Sequence, residues 1–117
     1  MIGKKIRPYS LEWKNLDAQS VDETKGEGLA FNDCRQVDYM VKTSAGVSAG
    51  KVVFENATEK DYAGTWNPLM EVDCADLGAS AELGGTFPDP PGGFTRSRIS
   101  EAIVGGTITT FLNGLLQ

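Results

Sequence analysis

From residue 28 onward the chain is a succession of short runs rich in Val, Ile, Thr, Phe and Tyr, cut by clusters of Gly, Asn, Asp and Pro. The runs recur every roughly 8 to 12 residues, which is the spacing of strands in an all-β sandwich or barrel. The expected strands are residues 28–32, 36–43, 51–56, 65–72, 79–83, 94–100 and 106–112. Val37, Tyr39, Val41 and Thr43 alternate with Asp38, Met40 and Lys42, which sets the first group on the inner face and the second on a half-solvated outer one. The last run carries apolar groups on both faces, with Ile108, Thr110 and Leu112 opposing Thr107, Thr109 and Phe111, as a central or interface strand does. A chain of 117 residues makes one domain, in which a single core forms without disulfide staples. The fold class is a small antiparallel β-sandwich, jelly-roll-like, with an extended N-terminal arm.

The arm is residues 1–27. Its apolar side chains, Ile2, Ile6, Tyr9, Leu11, Trp13, Leu16 and Val21, follow no regular period and do not make a layer of their own. Its charge is polarised. Lys4, Lys5, Arg7 and Lys14 face only Glu12 in the first half, whereas Asp17, Asp22, Glu23 and Glu27 face only Lys25 in the second. Ser20-Val21-Asp22-Glu23 has the form of a helix capping box, but Gly26 and Gly28 follow at once and no apolar periodicity continues it. The sandwich domain is residues 28–117.

Composition removes several function classes. The chain has no histidine, so Ser/His/Asp and Cys/His nucleophile pairs and zinc sites with His ligands cannot be built within it. Its two cysteines, Cys34 and Cys74, match neither a CxxC redox motif nor a zinc knuckle; they are two packed thiols or one disulfide. With 11 Lys+Arg against 16 Asp+Glu the chain lacks the basic balance of a nucleic-acid binder. No stretch approaches the roughly 18 apolar residues of a membrane span, and the first residues lack the apolar run of a signal peptide. A soluble protein made in a reducing cytoplasm, with no cofactor, no metal, no nucleic acid and no membrane partner, is expected.

Three motifs suggest an enzyme and each fails on its context. Gly46-Val47-Ser48-Ala49-Gly50 fits the G-x-S-x-G elbow, yet a strand-forming run follows where a helix is required and no histidine exists to take the proton. Ser48 to Lys51 fits S-x-x-K without helical spacing or the accompanying motifs. Gly46 to Lys51 falls one residue short of a phosphate loop and has Val52 where a magnesium-holding hydroxyl belongs. Glu55, Glu59 and Asp61, and the pair Asp73 and Asp76 around Cys74, could line a calcium site or act as a hydrolase acid/base pair, but without calcium-loop spacing or a visible cleft they read as solvated loop acidity. Asn56-Ala57-Thr58 is a glycosylation sequon by pattern alone. Tyr62 and Trp66 flank a glycine turn; they are either a stacking platform for sugar rings or core aromatics of a small sandwich.

The runs Lys51-Val52-Val53-Phe54-Glu55-Asn56, Tyr62-Ala63-Gly64-Thr65-Trp66-Asn67-Pro68-Leu69, Phe94-Thr95-Arg96-Ser97-Arg98-Ile99-Ser100 and Gly105-Gly106-Thr107-Ile108-Thr109 together resemble a β-sandwich module of structural proteins of tailed bacteriophages. In that module a V-x-F-E strand leads through a turn into a W-x-P-L strand, and an R-x-R-[IV]-S strand leads through a glycine turn to T-[IV]-T. The resemblance covers residues 45–114. The sequence departs from it where Asp61-Tyr62-Ala63-Gly64 lengthens one turn and where Phe87-Pro88-Asp89-Pro90-Pro91-Gly92-Gly93 replaces a strand and turn.

The resemblance implies a virion structural protein without catalytic activity. For a chain of this size it implies a capsid decoration (cement) protein on the outer surface of the major capsid protein lattice, made in the host cytoplasm and present as a homodimer or homotrimer. A tail, baseplate or fibre subunit is the nearer rival, and a carbohydrate-binding module using Tyr62 and Trp66 the farther one. Candidate contacts to capsid or subunit are Lys4, Lys5, Arg7, Tyr9 and Trp13 in the arm, Phe87 and Pro90 in the proline loop, Arg96 and Arg98 as carboxylate anchors or an ordinary exposed face, and the terminal Leu115 and Leu116.

Overall fold

A computed structural model of the chain describes residues 10–116. They form β1 (Ser10–Gln19), β2 (Leu29–Ala30), β3 (Cys34–Thr43), β4 (Ala49–Ala57), β5 (Asn67–Asp73), α1 (Cys74–Leu77), β6 (Glu82–Thr86), β7 (Phe94–Val104) and β8 (Ile108–Leu116). Each expected run overlaps a strand, but the first shrinks to Leu29–Ala30 and the run expected at 79–83 lies three residues later, at Glu82–Thr86. The strands pair antiparallel as β1 with β8, β2 with β7, β3 with β6 and β4 with β5, and β8–β3 and β7–β4 contacts join these ribbons. This nesting of first with last is what rolling one long antiparallel ribbon produces. The result is two four-stranded sheets, β1-β8-β3-β6 and β2-β7-β4-β5, packed as a jelly roll.

Alternation along the strands sets the core. Val37 and Val41 of β3, Phe54 of β4, Val72 of β5 and Leu112 of β8 meet Phe31 and Phe87 in one cluster. A second cluster gathers Leu16, Val52, Ile99, Ile103 and Ile108 with Cys74 at the start of α1. Burying each of these larger side chains stabilises the fold by about 2 kcal/mol. A polar seam also ties the two sheets together: Ser97 and Thr110 share a hydroxyl hydrogen bond of 2.7 Å, and the Asn15 side-chain oxygen Oδ1 accepts from both the Ser97 amide and its hydroxyl, each at 2.7 Å.

That seam corrects the expected domain boundary. Residues 10–19 are extended, as anticipated, but they are an edge strand of the sandwich and not an appendage. β1 carries register shifts between Lys14 and Leu16 and between Leu16 and Gln19, and the Leu16 amide donates to the Thr110 hydroxyl at 2.9 Å. The first bulge turns Asn15 inward and puts Leu16 in the core, so no period-2 pattern survives in the sequence. Residues 23–26 are likewise bonded along β7, through the Glu23 and Gly26 amides and the Ile99 amide. The capping-box residues at 20–23 make a turn between these two stretches.

Candidate functional site

The two outer faces of the sandwich are built in opposite ways. On the β2-β7-β4-β5 sheet, Val52 and Phe54 point inward, so Val53 and Glu55 point outward; yet Val53 is 4% exposed and Glu55 only 1%. The Glu55 carboxylate is held by its directly opposite neighbour Arg96, Nε to oxygen 2.8 Å, and by the diagonal Arg98 at 3.2 Å. Arg98 also reaches Glu23 at 2.9 Å, and the Arg96 guanidinium lies 3.8 Å from the centre of the Trp66 ring. The loop of residues 58–66 closes this face, pinned by a Lys60–Glu27 ion pair of 2.9 Å and by the approach of the Trp66 ring to Gly28.

This arrangement decides two readings that the sequence left open, and it corrects two others: Glu55 is not solvated loop acidity, and Phe87 is not a free contact. Arg96 and Arg98 are not free anchors, because both are spent on Glu55, whose burial requires a paired cation. Trp66 is not a sugar platform: it is 4% exposed, its indole N–H donates to the Tyr62 carbonyl at 2.9 Å, and Arg96 occupies its ring face. Tyr62 is exposed, and among the described residues no second exposed ring stands beside it to complete a platform. Phe87 is also lost as a contact residue, since it is buried against Tyr39 and Phe54 with ring centres 5.0 and 6.0 Å away. Pro90 is exposed on the same loop.

The outer face of the β1-β8-β3-β6 sheet is open. A groove of about 390 Å³ crosses it from β8 to β6. Met40 and Phe111, paired in register on β3 and β8, give it an apolar floor. Asp38, Lys42, Thr86 and Asn113 frame it, and the absence of a side chain at Gly84, opposite Met40, leaves its β6 side low. Thr86 donates to Asp38 at 2.6 Å and Lys42 lies 3.7 Å from Glu82, whereas the Asn113 side-chain oxygen is buried without a partner among the described residues. Lys14 of β1 reaches toward the Phe111 ring at 6.0 Å. Leu115 stands half-buried farther along β8. Such a face, apolar at the centre and polar at the rim, has the anatomy of a protein contact surface.

Of the remaining candidates, Trp13 is 37% exposed and packs edge-on against Phe31 at 5.8 Å, and Leu116 ends β8 opposite Cys34. Lys4, Lys5, Arg7 and Tyr9 lie outside the described residues. Sequence reading missed Met40, Phe111 and the two β6 glycines as groove residues, although the two-sided apolar character of the last strand was the signal for Phe111. Both cysteines are free and sit in different clusters; burial, then the charge of Asp33 or Asp73 respectively, pushes each thiol pKa up. Residues 46–50 form a turn into β4, where Gly46 at φ +90° passes against Gly105, and Asp73 caps α1 by accepting from the Ala75 amide at 2.9 Å. Among the described residues, no three metal-ligating side chains come together.

No protein-family model matches the chain, and no curated protein matches it. Several solved structures resemble it. The SPBc2 prophage-derived protein YomS has 12% identity and a TM-score of 0.54, with 91% of this chain and 92% of that one covered. A protein of the disulfide-linked pili that form Bacillus endospore appendages has 15% identity and a TM-score of 0.48 over 93% and 90% of the two chains. CsCBM6-3 from Clostridium stercorarium, solved with cellobiose, has 14% identity and a TM-score of 0.39 over 94% and 88%. The likeness to YomS shows that the β-sandwich fold is shared with a phage-derived protein.

Proposed function

We propose that the chain is a non-catalytic virion structural protein: a capsid decoration protein that seats on the outer surface of the major capsid protein lattice and stabilises the head. The observation that carries this reading is the contrast between one sealed outer face and one open face with an apolar floor, because a cement subunit needs a single flat surface left for its neighbour. The phage-module resemblance over residues 45–114 supports the virion setting, and so does a shared fold with a prophage-derived protein. In this reading the β1-β8-β3-β6 face meets the lattice, Met40, Phe111 and Leu115 supply its apolar contacts, and many modest contacts repeated around the shell sum to a large stabilisation. No cofactor, nucleic acid or membrane enters. A second copy of the chain is the other partner.

Copy number per purified particle, measured by quantitative mass spectrometry against the major capsid protein, tests the proposal. Hundreds of copies, with a capsid melting temperature that rises when the protein is added, support decoration. A handful per particle would move the chain to a tail, baseplate or fibre position. None at all would end the virion reading.

A further inference from the structure

A sandwich of two open sheets has four edge strands, and each edge is a row of N–H and C=O groups that another chain can join unless something blocks it. Three are blocked here. β1 is interrupted by two register shifts and carries Lys14. β2 is two residues long. β5 has Pro68 near its start and a register shift beside it. β6 has none of these devices: Glu82 to Thr86 pair with β3 in unbroken register and contain neither proline nor lysine.

The pairing pattern shows which groups this edge presents. The Phe87 amide donates to the Val37 carbonyl at 3.0 Å, and the Thr43 amide to the Ala81 carbonyl at 2.9 Å. Antiparallel pairing alternates, so residues 81, 83, 85 and 87 turn their amides toward β3 while Glu82, Gly84 and Thr86 turn theirs outward. Those outward groups have no strand beside them among the described residues. On the inner side of the same edge Leu83 is 38% exposed, although it pairs with the fully buried Val41.

We propose that β6 pairs antiparallel with β6 of a second copy about a two-fold axis at Gly84, joining two β1-β8-β3-β6 sheets into one continuous sheet. The segment Glu82-Leu83-Gly84-Gly85-Thr86 is complementary to itself in this register. Gly84 meets Gly84 of the second copy and Glu82 meets its Thr86, so no like charges stand directly opposite. Leu83 falls opposite the second copy's Gly85 in the non-hydrogen-bonded position, where side chains approach most closely. A Cβ at Gly85 would lie 2.5 Å from the Tyr39 hydroxyl, so any larger residue there has to displace that ring. Leu83 of each copy therefore covers the bare backbone and tyrosine of the other. On the outer side the two grooves run together across the paired glycines. A closed two-fold contact of this kind makes a dimer and not a filament.

This names the surface behind the self-association in the proposed function but does not depend on a capsid, so the two readings fail separately. Sedimentation of the full chain over about 10 to 500 µM, the range a small interface requires, should show monomer converting to dimer. Gly84→Pro removes an outward N–H, and its Cβ meets nothing closer than 3.4 Å. It should weaken the dimer at least tenfold with an unchanged circular dichroism spectrum. Should that variant lose its strand signal, Leu83→Lys gives the same readout at a partly exposed position. Gly84→Cys should form a symmetric disulfide under oxidation, while the buried Cys34 and Cys74 do not cross-link. A wild-type chain that stays monomeric throughout overturns the proposal. So does a dimer that survives both substitutions, or one lost on deletion of residues 1–9 but kept in Gly84→Pro.

Discussion

The two outer faces are made from residues of similar promise and come to different ends. On the β2-β7-β4-β5 side two arginines and a tryptophan, the residue types most associated with recognition, are consumed in keeping one carboxylate buried. On the β1-β8-β3-β6 side a methionine, a phenylalanine and two glycines leave an open groove. A residue's value as a contact is thus set by its cross-strand neighbour. Arg96 stands opposite Glu55 and is used up, whereas Phe111 stands opposite Met40 and stays available.

The difference between the faces rests first on Glu55. Glu55→Ala leaves Arg96 without a carboxylate beneath Trp66 and Arg98 with only Glu23, and it should cost about 4 kcal/mol in urea unfolding. A loss under 1 kcal/mol would mean that both arginines already reach solvent and that this face is not sealed. Trp66→Ala should come next, at about 3 kcal/mol, with loss of the Arg96 stack. A variant that kept full stability would return Trp66 to the surface and reopen the sugar-binding reading. Asn15→Ala should cost about 2 kcal/mol, because the Ser97 amide is left buried without an acceptor. That value measures how firmly β1 belongs to the sandwich.

The strands with unbroken alternation were legible. Val37 to Thr43 assigns its own two faces, and the structure buries Val37, Val41 and Thr43 while leaving Lys42 outside. β1 was not, because its bulges put Asn15 and Leu16 inward in succession and erase the period that identifies a strand. The sealed face was also hidden. Nothing in the run Phe94 to Ser100 reveals that Glu55, 41 residues away from Arg96, lies opposite it. Pairing of that range depends on strand order, which local pattern does not encode. The groove was half visible: the two-sided last strand marked Phe111, but only the pairing of β6 with β3 puts Gly84 beside Met40.

On the open face the expectation reverses. Phe111→Thr should change stability by less than about 1 kcal/mol, since the side chain stands on a half-exposed sheet face. Retention on purified capsids should fall at least tenfold in the same variant. A large stability loss with normal retention would make the groove floor part of the core and remove the distinction between the faces.

The smallest effect separates the two interior clusters. Cys34 belongs to the Phe54 cluster and Cys74 to the Ile99 cluster, and burial raises both thiol pKa values above the ordinary 9.0. The folded chain therefore keeps these protons at a pH where the unfolded chain has released them. The resulting stability is fully present below about pH 9 and is lost as pH rises from there through the folded-state values. Lys60, raised by its Glu27 partner, acts in the same direction from a higher starting point, so alanine variants of the cysteines are needed to isolate the thiols. Cys74 is 0% exposed against 4% for Cys34, so Cys74→Ala should flatten the alkaline slope more than Cys34→Ala does. Equal flattening would show the two clusters opening as one unit. No flattening in the double variant would mean that neither thiol is buried in solution.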